Sequence, residues 1–116
     1  MDVATQIYIE TVQVSDIPWH RLTTTYGRAT DFPTELDVLW NMESIETINA
    51  AGEELAQNIE HQSTLWHATP FAMIFFLRIF KKAQEERAHN EVAQYLAEQL
   101  VELFTVIAEC IRDGLM

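Results

Sequence analysis

His20, Glu60, His61 and His67 are the residues whose types could bind a metal ion or carry a proton. A divalent ion needs three or four such donors fixed around one point. His61 and His67 are six apart, which fits neither a metal-binding pair on one helix nor a zinc-finger spacing. A site would require the fold to bring His20 and Glu60 to them. The competing reading is that histidines beside a turn bond to nearby backbone and fix it. Cys110 is the one cysteine, so no internal disulfide forms, and a lone thiol in an apolar stretch acts as a small hydrophobe. The chain has no nucleophile elbow, no phosphate-cradling glycine loop and no base-plus-cysteine arrangement. These residues predict no catalytic group, no metal and no cofactor.

The carboxylates point elsewhere. Glu46, Glu53 and Glu60 recur every seven residues, which places them close to one line along a helix. Ile45, Ile48, Gly52, Leu55 and Ile59 form the opposite, apolar face of that helix. Folding therefore does not require the three charges. With Glu43 and Glu54 they make a broad negative surface suited to a basic partner. Trp66 and His67, just beyond, would add an aromatic anchor at its edge. The residues between, Gln62, Ser63 and Thr64, are also good loop and capping types whose ordinary task is to satisfy helix ends.

Charge supports a protein partner over nucleic acid. The net charge is −11; residues 1–77 carry 11 acidic side chains against Arg21 and Arg28, and residues 78–116 carry 7 against 5 basic ones. Such a surface repels a phosphate backbone. With 48% apolar residues, 3 Gly and 3 Pro in 116 residues, the chain predicts one globular domain rather than a disordered or fibrous one. The start of the chain lacks a basic region and an apolar run, and residues 71–80 are too short to span a bilayer and are broken by Arg78. A cytoplasmic, non-membrane protein is the expectation.

Four or five helices must position these groups. The first is expected from Ser15 or Asp16, with Pro18 in its first turn, Trp19, Leu22 and Tyr26 as a buried stripe, and Gly27 as its stop. Asp31 and Pro33 open a second, with Glu35 at the positive end of its dipole and Leu36, Leu39 and Trp40 buried. Ser44 caps the third. The fourth begins at Thr69 and Pro70, and residues 71–80 are apolar nearly all round, which predicts the most buried segment. Lys81 and Lys82 follow. The last runs from Glu86 or Asn90 to Arg112 and ends at Gly114, with two apolar stripes. Val92, Leu96, Leu100, Leu103 and Ile107 serve the core. Val101, Phe104, Ala108 and Ile111 need another cover: a second copy, the partner, or the chain's own first fourteen residues. Those residues, rich in β-branched Ile7, Ile9, Val12 and Val14, are read as a short helix or an extended arm.

Tyr26, Gly27, Ala29, Asp31 and Pro33, followed by Asn58, Ile59, His61, Gln62, Thr64, Ala68, Thr69 and Phe75, resemble the two signatures of bacterial HEAT-repeat-like proteins, with Ser63 where that family usually has Gly. The resemblance spans residues 19–77 and implies an all-α fold of stacked helical pairs: two pairs and a long C-terminal helix, a solenoid that stops early. Proteins similar in this way are encoded near bacterial toxins. The resemblance thus implies an immunity-type inhibitor of a basic toxin domain, with an adaptor or regulatory subunit, including a homodimer, as the alternative.

Overall fold

The structure is a computed structural model; it describes residues 2–24, 27–60 and 69–112, with the side chains of these residues except 23, 24, 27, 28, 57–60, 110 and 111. The fold is helical, and the described residues form five α-helices beside one two-residue ladder: α1 (Val3–Thr11), α2 (Phe32–Asn41), α3 (Ile45–Glu60), α4 (Thr69–Glu86) and α5 (Glu91–Arg112).

The N-terminal segment is a short helix, although its β-branched residues favour strand. Among the described residues no strand pairs with it, and local bonds decide the outcome. Asp2 Oδ1 accepts from the Thr5 N–H at 2.7 Å, capping α1, and Gln6 donates to Glu10 one turn on. Beyond α1 the expected helix from Ser15 to Gly27 does not form. Two single 3₁₀ turns, Val14–Asp16 and Trp19–Arg21, stand there instead. Pro18 separates the two turns, since the residue before a proline is pushed out of helical geometry and Ile17 is extended at φ −91°, ψ 129°. The second turn ends at Leu22, extended at φ −94°, ψ 141°, whose carbonyl accepts from the Ala29 N–H at 3.0 Å. Thr23–Thr24 (β1) then pairs antiparallel with Gly27–Arg28 (β2), Thr23 facing Arg28. Gly27 thus belongs to this short ladder rather than to a helix stop.

Irregular as it is, the segment is anchored. Val12, Ile17, Trp19 and Ala29 are buried. The Trp19 ring lies 5.5 Å from Phe32 and 6.0 Å from Phe75 between centroids, and its indole N–H donates to the Val14 carbonyl at 2.8 Å.

The remaining helices form two hairpins. Asn41 ends α2, and Met42 takes the left-handed position at φ 50°. Glycine usually holds such a site; here burial of the Met42 side chain offsets the backbone strain. Ser44 then caps α3 as expected, its Oγ accepting from the Thr47 N–H at 3.2 Å. Asn90 caps α5, its Oδ1 accepting from the amides of Val92 and Ala93. The two hairpins stack, α2 against α4 and α3 against α5. The long C-terminal helix is therefore the second arm of the second hairpin, not an addition to two complete pairs.

One core cluster joins residues 12–29 to α2, α3, α4 and α5, from Val12 through Leu36, Leu55 and Phe76 to Ile107, while α1 contributes no buried residue. In α4 the buried residues are Thr69, Ala72, Phe75, Phe76, Ile79 and Ala83, a single face. Leu77, on the opposite side, is 52% exposed, so α4 is not buried all round. Trp40 is also exposed, at 44%. It sits at the margin of the α2 stripe defined by Phe32, Leu36 and Leu39, where the Lys82 ammonium covers its ring at 4.4 Å. Ile45 likewise stays exposed on α3. Among the described residues no helix is long and apolar enough to cross a membrane.

Candidate protein-binding surface

The expected acidic surface is exposed where it is described. Glu43 lies on the joint before α3, and Glu46, Glu53 and Glu54 stand on α3 itself, all four exposed. The side chain of Glu60 falls outside the described residues, as do His61, Trp66 and His67. Their expected roles therefore rest on sequence. Among the described residues no group of three or more His, Cys, Asp or Glu is arranged to hold a metal ion.

The structure adds an acidic line that the sequence reading missed. Glu91, Glu98, Glu102 and Glu109 are all exposed on α5, and their steps of seven, four and seven keep them on one edge of the helix. That spacing was the available signal; the apolar stripes of the same helix masked it. Glu53 of α3 and Glu102 of α5 line a common groove of about 250 Å³ between their helices. Leu55, Phe76 and Leu100, all buried, form its floor. At one mouth the Tyr95 hydroxyl donates to Asn49 Oδ1, joining α5 to α3.

Gly52 lies in that groove, and a Cβ built on it would meet nothing within 4 Å. A helix-interior glycine with space beside it weakens the helix without serving a close contact. Gly52→Ala should therefore raise the unfolding free energy by ~0.5–1 kcal/mol, read from a chemical denaturation curve. A loss of stability would show that the open space is not there.

Glu35 departs furthest from ordinary carboxylate behaviour. Its carboxyl is pushed up to about 7, first by burial and then by the nearby charges of Glu54 and Asp31. Its Oε2 is sealed from solvent with no hydrogen-bond partner among the described residues. The helix dipole at the start of α2 favours the charged form, as the sequence suggested, but burial and two neighbouring carboxylates outweigh it. The pKa is raised on folding, so between about 4.5 and about 7 the folded chain binds more protons than the unfolded one. Stability then falls as pH rises through that window. Glu35→Gln should leave stability at pH 4 nearly unchanged and raise it above pH 7. After discounting for solvent screening of this partly exposed side chain, the gain is on the order of 1 kcal/mol. Thermal melts of both forms across pH 4–8 check this; a constant offset would contradict it.

The second apolar stripe of α5 is partly accounted for. Phe104 is half-buried, packed edge-on against Phe80 at 5.7 Å. Val101 is 50% exposed and Ala108 is exposed, while the Ile111 side chain lies outside the described residues. The N-terminal segment is tied to α4, where Arg78 Nη2 donates to the Ile9 carbonyl at 2.7 Å. No protein family, curated protein or solved structure matches the chain.

Proposed function

We propose that the chain is a protein-binding module acting by occlusion rather than catalysis, an immunity-type inhibitor that lays its acidic surface over the basic active-site cleft of a toxin domain. The observation that carries this reading is the exposure of Glu43, Glu46, Glu53 and Glu54 on α3 and the joint before it. Two stacked helical hairpins also suit the resemblance to HEAT-like proteins. Charge of this kind chiefly speeds encounter and selects the partner, while apolar contacts set the lifetime of the complex.

Growth rescue tests the proposal. Co-expression of the chain with a toxin domain encoded beside its gene should restore growth, and Glu46→Lys with Glu53→Lys should abolish the rescue. Failure of the unaltered chain to rescue would remove the inhibitor reading.

An adaptor or homodimer is the second reading, favoured by apolar residues that face solvent: Val3, Ile7 and Tyr8 on α1 and Val101 on α5. A sedimentation-velocity dimer that dissociates in a Val101→Glu variant would favour it.

A further inference from the structure

We propose that the groove between α3 and α5 seats a basic amphipathic helix of a partner protein. The proposal rests on the protein-binding reading above and narrows it, from an acidic face to a cleft with a defined occupant.

The two hairpins leave one seam on each layer, and the chain treats them differently. The α2–α4 seam also holds a groove, of about 310 Å³, but the chain's own Val14 forms part of its wall and the cation Arg78 lines it. Trp19 packs on Phe32 and Phe75 there, and Arg78 is tied to Ile9. The α3–α5 groove is lined by residues of the four helices α2 to α5 and by none of the N-terminal segment.

Size and chemistry select the occupant. A cavity of ~150 Å³ takes one benzene-sized group, so a groove of about 250 Å³ admits roughly two side chains from a passing element, not a folded lobe. Gly52 widens it by presenting no side chain, and Leu103 and Val106 extend its apolar wall. Glu53 and Glu102 line its two sides, and exposed Glu46 on α3 and Glu91, Glu98 and Glu109 on α5 continue the same helix edges by their spacing. Neither helix contains Lys or Arg before Arg112. An apolar floor between two negative rails fits a helix with one apolar stripe flanked by Lys or Arg. A second copy does not meet this description. It carries the same net charge of −11, and of its seven cations only three, Arg78, Lys81 and Lys82, share a helix, α4, where Arg78 is tied to Ile9 and Lys82 to Trp40.

The test uses the full chain and a fluorescent synthetic peptide of about 18 residues, five helical turns, with Leu at core spacing and Lys elsewhere. A shuffled peptide of the same composition is the control. Fluorescence anisotropy at low salt should show the ordered peptide binding at least ~10-fold tighter than the shuffled one. Amide chemical shifts should move at Gly52–Ala56 and Gln99–Val106. Gly52→Phe, which fills the groove, should weaken binding ~10-fold or more with the melting temperature kept or raised; Gly52→Leu replaces it if the larger ring prevents folding. Equal affinity for both peptides would overturn the groove, because charge alone would then suffice. Unchanged binding in a folded Gly52→Phe variant, together with loss in Glu43→Lys/Glu46→Lys, would overturn the groove yet leave the acidic-face reading standing. Absence of binding to either basic peptide would count against both.

Discussion

Trp19→Ala should lower the unfolding free energy by ~3–5 kcal/mol, the largest effect expected of a single substitution in residues 12–29. Three separate losses add up. The ring is 4% exposed, so truncation removes a large buried apolar surface and leaves a cavity between α2 and α4. The tilted ring contacts with Phe32 and Phe75 go with it. The Val14 carbonyl loses the indole N–H that it accepts at 2.8 Å. Trp19→Phe should cost less, since it keeps much of the packing while dropping the hydrogen bond. Urea denaturation followed by circular dichroism measures both. A cost below ~1 kcal/mol for Trp19→Ala would mean that the segment is not held by the core.

The double reversal Glu46→Lys with Glu53→Lys should slow partner association on the order of 10- to 100-fold at low salt, and much less at high salt. Both side chains are exposed and lie seven residues apart on α3, so they share one edge of the helix. Reversal changes the local charge by four units without removing a packed group. The melting temperature should stay close to that of the unaltered chain. This separation of effects distinguishes a binding defect from unfolding. A slower rate that is independent of salt would argue that the lysines clash rather than repel.

The parts of the fold that were legible in the sequence are those where a single periodicity decides the structure. The Ile48, Leu55 spacing of α3, and the Leu96, Leu100, Ile107 spacing of α5, mark faces that are buried, and Ser44 and Asn90 mark where those helices begin. Residues 12–29 were not legible as irregular structure, because Trp19, Leu22 and Tyr26 keep helical spacing while the backbone turns extended at Leu22 and enters the β1–β2 ladder. Trp40 misled for a related reason. It follows Leu36 by four residues, but Phe32 shifts the centre of the α2 face away from it, and Lys82 on α4 offers the ring a partner at the surface. The acidic edge of α3 could be read from spacing alone. The groove could not, since it depends on which helices pack side by side, and α3 and α5 are separated in the chain by the whole of α4.

Affinity purification of the tagged chain from its native cells, in parallel with the Glu46→Lys/Glu53→Lys form, tests the central claim most directly. The account predicts a basic protein recovered with the unaltered chain at about equal molar amount, released by raised salt and missing from the double reversal. Recovery of the same protein in equal amount with both forms, or of the chain alone, would contradict it.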